Sequence, residues 1–129
     1  MIRRTGDDIA VVDTPDGVFL AGGGIEGNET PDDAIIRETL EECGLVIRPG
    51  TWQIRAIEFV YSSTELTNFE KRSTFMEAVA EGVRGHSERD HKLMWLRTEA
   101  AIRALSHQSH SWALDRWREH PAASVRPRR

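Results

Sequence analysis

The chain has one cysteine, Cys43, in 129 residues. A single thiol cannot close an internal disulfide, so the fold must be held by its core, and a reducing cytoplasm is the expected setting. Long apolar runs are absent too. No segment approaches the length of a membrane span, and the first residues, MIRRTGDDIAVV, lack the apolar centre of a signal peptide, so no membrane partner is expected. There is no basic excess: 17 Lys and Arg against 21 Asp and Glu give a net charge of −4. That balance argues against a nucleic-acid polymer as partner, because nothing offsets the phosphate backbone. It does not exclude a small phosphorylated ligand, whose charge a bound cation can offset. The five histidines, His86, His91, His107, His110 and His120, form neither an H-E-x-x-H pair nor a Cys/His zinc spacing, and each reads as a solvated surface residue. Trp52, Trp95, Trp112 and Trp117 read as packing residues. No repeat, low-complexity linker or composition break divides the chain, so residues 1–120 are read as one domain. Residues 121–129 read as a disordered basic tail.

What is present begins with a strand from Asp8 to Thr14, a Pro15-Asp16-Gly17 turn and a short strand from Val18 to Ala21 that runs into Gly22, Gly23 and Gly24. Thr30-Pro31-Asp32-Asp33 carries helix-start chemistry: a Thr cap, Pro in the first turn and an acid three residues after the cap. The helix is predicted from Pro31 to Cys43, with Gly44 in the left-handed position beyond it and an apolar side of Ile36, Leu40 and Cys43, Thr39 beside them. On that side Cys43 reads as a small buried apolar residue rather than a nucleophile. Strands are predicted from about Trp52 to Tyr61, Ser73 to Ala80 and His91 to Arg97, separated by polar loops, followed by helices at Thr98 to Leu105 and Ser111 to Glu119. Strands on either side of one central helix, with more helix at the end, give an α+β fold with a mixed sheet.

The most informative segment is GGIEGNETPDDAIIRETLEECGL, residues 23–45. Glu38, Glu41 and Glu42 stand at i, i+3 and i+4 and so project from one side of the helix. Grouped carboxylate oxygens suit a hard divalent cation, Mg²⁺ or Mn²⁺, and such ions partner phosphates. Taken alone, E-x-x-E-E on a helix is usually a solvated acidic face. Here it stands at fixed spacing behind Gly23, Glu29 and Arg37. The whole segment, Gly23 to Leu45, resembles the signature of the Nudix hydrolases, G-x5-E-x7-R-E-U-x-E-E-x-G-U with U a bulky aliphatic residue. It departs from that pattern at the first U, which is Thr39.

The resemblance implies a Nudix-type α/β/α sandwich whose box helix carries the metal site. Glu38, Glu41 and Glu42 would hold the cation, joined by the backbone carbonyl at Gly22 or Gly23. Arg37 would orient Glu38, and Glu29 would brace the loop before the helix. The implied reaction is attack of a metal-activated water on a pyrophosphate bond. Within the helix Glu41 is the candidate proton acceptor; Glu88 and Asp90 are the candidates on a later loop. Two nearby departures, Ala21 and Gly27-Asn28 where prolines are common, leave the turn feasible because Asn tolerates a left-handed backbone. Tyr61, just past the box, tilts the substrate toward a nucleoside or dinucleoside polyphosphate, with Arg72 beside Lys71 as a further phosphate contact. A homodimer is expected from the family's habit. The competing reading is a non-catalytic Nudix-fold module that binds or regulates, which the intact set of box glutamates disfavours.

Overall fold

The structure, a computed structural model, describes residues 1–4, 8–22, 26–86 and 88–120; the expected tail lies outside the described residues, as do Gly23 and Gly24. Among the described residues six strands and three helices follow one another as β1 (Ile2–Arg3), β2 (Asp8–Thr14), β3 (Gly17–Leu20), α1 (Pro31–Cys43), β4 (Leu45–Ser62), β5 (Thr67–Val83), β6 (Lys92–Arg97), α2 (Thr98–Ala104) and α3 (Gln108–Arg118). They make one mixed sheet in the order β3-β2-β1-β5-β4, with β6 along β2. β1 runs parallel to β5, and the other pairings are antiparallel.

Strand β2 is the centre because it is apolar on both faces. Ile9 and Val11 point into a cluster with Leu20, Phe75, Leu105, Ala113, Leu114 and Trp117, the packing of α2 and α3. Ala10 and Val12 point the other way, into a cluster with Cys43, Leu45, Ile47 and Ala78, the packing of α1. A strand buried on both sides reads as a continuous apolar run, which IAVV is. The result is three layers: α1, the sheet, and the α2/α3 pair.

Helix α1 has the predicted limits. Thr30 accepts a hydrogen bond from the Asp33 N–H at 3.1 Å, and Gly44 closes the helix at φ 69°. A side chain on Gly44 would be strained at that φ and would meet the Gly85 carbonyl oxygen at 3.0 Å. The phase of the helix differs from the expectation. Ala34, Thr39 and Cys43 are buried, Ile35 packs on the core, Leu40 is half-buried, and Ile36 is exposed. The helix is rotated so that Thr39, not Ile36, faces the sheet.

Strands β4 and β5 are much longer than predicted and pair from Leu45↔Val83 out to Ser62↔Thr67. The stretch before Trp52 is strand broken by an irregularity between Pro49 and Gln53, and the polar loop expected through Asn68 shrinks to a turn at residues 63–66. Ile54 pairs with Phe75, and both face α2 and α3; Glu58 faces the same way and accepts a 2.9 Å bond from Ser109 Oγ. The period of two therefore turns Ile57, Phe59 and Tyr61 to the α1 side. The alternation from Ala78 down β5 places Arg72 on that side as well, opposite Ile57.

Candidate active site

The site is assembled by three segments that meet at the C-terminal half of α1. The first is the start of the glycine run: the Gly22 N–H donates to Glu42 Oε1 at 3.1 Å. The second is α1 itself. The third is the loop between β5 and β6, which backbone bonds hold against the helix. Arg84 N donates to Gly44 O at 2.7 Å, Glu88 N to Glu42 O at 3.1 Å, and His91 N to Glu88 O at 3.0 Å.

Arg37 organises the first half of the site. Its Nε and Nη2 hold both oxygens of Glu29 at 2.7 and 3.0 Å, a two-pronged bond that fixes both groups in one plane. Nη1 reaches Glu38 Oε1 at 2.8 Å and Glu41 Oε1 at 3.1 Å, with Glu26 at 3.6 Å. The bond from Arg37 holds Glu29 below the usual carboxylate range. The bonds from Glu29 and Glu38 push the Arg37 guanidinium up, so it stays charged. Glu29 also accepts from Glu26 N at 2.9 Å, while Glu29 N donates to Glu26 O at 3.0 Å. That tight turn is made possible by Gly27 at φ 53°, so glycine rather than Asn28 takes the left-handed position.

Glu42 stands apart from this network. Its side chain is 15% exposed, and burial raises its pKa against the opposing pull of the Gly22 N–H and of His91. Among the described residues, Glu42, Glu88 and His91 present ligand atoms within 4.8 Å of one another. His91 Nε2 is 3.5 Å from Glu42 Oε2, and Nδ1 is 3.9 Å from Glu88 Oε1. The Nδ1 atom is buried and has no hydrogen-bond partner among the described residues. A desolvated carboxylate, a second acid and an unsatisfied ring nitrogen fit a divalent cation. Such an ion would relieve the burial of charge and satisfy the ring.

Of the residues named from sequence, then, Gly22 and Glu42 are in direct contact, Glu38 and Glu41 are gathered by Arg37, and Glu88 joins Glu42. Asp90 is exposed in the same loop. Tyr61 and Arg72 share the α1 side of the hairpin; Tyr61 is 58% exposed, and Arg72 pairs with Glu70. His91 was missed, because single-residue spacing gives no sign that a strand-edge histidine returns to α1. Its place next to the Glu88/Asp90 loop was the available signal. The other histidines also depart from the surface expectation. His107 and His110 pack on Phe19 with ring centres 5.0 and 6.0 Å away, and His120 lies edge-on to Trp52 at 6.0 Å; only His86 is exposed. Trp117 is core as expected, whereas Trp112 is 44% exposed in a shallow depression of about 560 Å³ with Arg55, Glu58 and Ser109. Cys43 is buried, and burial pushes its thiol up to about 12, which removes it as a nucleophile.

Comparison with known proteins agrees with this architecture. The family model described as the NUDIX domain matches residues 1–118. The chain belongs to the NUDIX family, and its enzyme class is that of the Nudix hydrolases, which cleave phosphoric anhydrides. Similar solved structures include a C. elegans Ap4A hydrolase binary complex, 16% identical with a TM-score of 0.71, covering 90% of this chain and 89% of that one. A Nudix hydrolase from M. smegmatis, RenU, is 18% identical with a TM-score of 0.67, covering 96% and 84%. The E. coli dihydroneopterin triphosphate pyrophosphohydrolase is 16% identical with a TM-score of 0.60, covering 90% of each chain. At such identities the likeness is one of fold. No curated protein matches the chain by sequence.

Proposed function

We propose that the protein hydrolyses a pyrophosphate bond in a nucleoside or dinucleoside polyphosphate, with Mg²⁺ or Mn²⁺ as cofactor. The observation that carries this reading is the convergence of Glu42, the Gly22 backbone and the β5–β6 loop at the end of the box helix. The name of one structural neighbour, an Ap4A hydrolase, is in keeping with a dinucleoside polyphosphate, and that of another, a dihydroneopterin triphosphate pyrophosphohydrolase, with pyrophosphate cleavage more generally.

Glu38, Glu41, Glu42 and the Gly22 carbonyl would hold the cation. When bound, it would draw charge from the bridging phosphate oxygens and acidify a water. The chain's own residues set the geometry. Arg37 fixes the orientation of Glu38 and Glu41 through one nitrogen and anchors the preceding loop through Glu29 with the others. Glu41, 57% exposed, is reachable by water and accepts its proton as the water oxygen bonds to phosphorus. The bridging P–O bond breaks, and its electron pair leaves with the departing phosphate. Exchanging Glu41 and Glu88 separately for Gln distinguishes the helix acid from the loop acid, because only loss of the proton acceptor flattens the acidic limb of the pH–rate profile.

Tyr61, whose exposed ring is on the side of the sheet that carries α1, would stack on a base, and Arg72 on the same side would meet phosphate. Tyr61→Ala is expected to raise KM by an amount equivalent to about 1–3 kcal/mol of binding, and Tyr61→Phe to keep most of the affinity. Because the ring is exposed, neither change is expected to move the melting temperature; an unchanged KM in folded Tyr61→Ala removes the base-stacking role. The substrate itself is found by measuring turnover across a panel of nucleoside triphosphates, nucleotide sugars and dinucleoside polyphosphates. Turnover is expected with Mg²⁺ or Mn²⁺ and should be lost in chelator. Binding without turnover of any compound would favour the non-catalytic module instead.

Residues 1–120 are read as the catalytic domain, and residues 121–129 as dispensable for turnover. The enzyme works on small molecules, as a monomer or homodimer, in a reducing cytoplasm. No helix among the described residues is long and apolar enough to cross a membrane.

A further inference from the structure

We infer that His91 is a ligand in the cation shell, so that this chain binds Mn²⁺ or Co²⁺ in preference to Mg²⁺. The inference rests on the metal-assisted reading above and concerns a residue outside the box. Three observations support it. His91 and the two acids beside it offer ligand atoms within 4.8 Å of one another. The placement is set by the backbone: the bonds from Arg84 to Gly44 and Glu88 to Glu42 tie the loop to the helix end and the bond from His91 to Glu88 tightens the loop itself, so the ring is not carried by a free surface segment. Finally, the ring is not explained by its protein neighbours. Among the described residues its Nδ1 is buried without a partner, and its contacts with Glu42 and Glu88, 3.5 and 3.9 Å, are longer than the roughly 2.7–3.2 Å of an N–H···O bond. An ordinary surface ion pair would close those gaps.

The chemical consequence follows from ligand type. Carboxylate and carbonyl oxygens alone suit Mg²⁺, which demands near-ideal octahedral geometry and gives up water reluctantly. An imidazole nitrogen among them is a softer donor, favoured by the later divalent ions over Mg²⁺. Glu42 supplies the shared anchor. His91 then decides which ion the site selects.

The test reads metal binding directly, without turnover. Mn²⁺ alone is bound to the full chain, and pulsed electron paramagnetic resonance records whether the ion couples to a ligand nitrogen. Directly bound imidazole gives such coupling, which is expected in the wild type, to shift with ¹⁵N-histidine labelling and to vanish in His91→Gln. Calorimetric titration is expected to show His91→Gln weakening Mn²⁺ about 10–100-fold while changing Mg²⁺ by less than about threefold. Bound Mn²⁺ without nitrogen coupling, or equal loss of both ions in folded His91→Gln, overturns the inference and leaves the hydrolase reading in place. Absence of any Mn²⁺ or Mg²⁺ binding overturns both. The labelled wild type keeps the test decisive if the variant does not fold.

Discussion

The two faces of the sheet are finished to different degrees. On the α2/α3 face Ile9, Val11, Ala113 and Leu114 are fully enclosed. Polar groups there are matched: Trp117 Nε1 donates to Glu77 Oε2 at 3.1 Å, Ser109 Oγ to Glu58, and Leu20 N to His110 Nδ1 at 3.2 Å. On the α1 side lie Thr39 Oγ1 and His91 Nδ1, the buried side-chain polar atoms without partners among the described residues, together with a carboxylate, Glu42, whose charge is disfavoured by burial. Unsatisfied buried polar groups cost stability, so their concentration on one face suggests a division of labour. One face holds the fold together, and the other carries the groups that the proposed ligand would use.

The sharpest way to break that division is to change one residue on each face and read both activity and stability. Glu42→Gln is expected to lower turnover about a thousandfold, roughly 4 kcal/mol in barrier, because a charged ligand is lost from the site. Its melting temperature should hold or rise, since a neutral amide relieves the burial of charge. A collapse in melting temperature would make Glu42 a structural residue. Leu114→Ala should do the reverse. It removes a fully buried side chain from the α2/α3 face and is expected to cost about 2–5 kcal/mol in stability while leaving kcat unchanged at temperatures where the variant stays folded.

A pH experiment sharpens the comparison further. Burial, aided by His107 and Lys71 and opposed by Glu58, lowers the His110 pKa from 6.5 to about 4. The folded pKa lies below the unfolded one, so the unfolded chain takes up the proton first. The stabilisation is complete above about pH 6.5 and is lost progressively as pH falls toward 4, amounting to at most roughly 3 kcal/mol. Denaturation followed from pH 7 to 4.5 should show a steeper decline for the wild type than for His110→Asn, which keeps an acceptor for Leu20 N without the titration. Equal slopes would remove His110 from the packed face's account.

The smallest effect is expected at Thr39. Its hydroxyl is buried without a partner among the described residues, and Val has nearly the same shape, so Thr39→Val should gain about 1 kcal/mol in a denaturation curve. A loss instead would mean that the hydroxyl has a partner in solution.

These contrasts also mark what could be read from the chain. Helix α1 was legible to its ends because its limits are set by local chemistry: the Thr30 side chain, Pro31 and the left-handed Gly44. β2 was legible because burial on both faces leaves an unbroken apolar run. The phase of α1 was not, since Ile36 is a better apolar residue than Thr39 and only docking on the sheet decides which turns inward. The outer halves of β4 and β5 were hidden for a related reason. Their side chains remain exposed, as Phe59 and Phe69 do at 75% and 44%, so no burial period is written into them and cross-strand pairing alone defines their length. Within the site, the Arg37 cluster was readable as helix spacing plus one upstream glutamate. His91 was not, because its role depends on backbone bonds between segments far apart in sequence.

The central claim, that the α1 side activates water against a phosphoric anhydride, is tested most directly by isotope. Hydrolysis of the best substrate in ¹⁸O-water with Mg²⁺ or Mn²⁺ should place one ¹⁸O in a phosphate product at each cleavage, and chelator should abolish both turnover and label. Cleavage that leaves the phosphates unlabelled, or that continues undiminished in chelator, would contradict it.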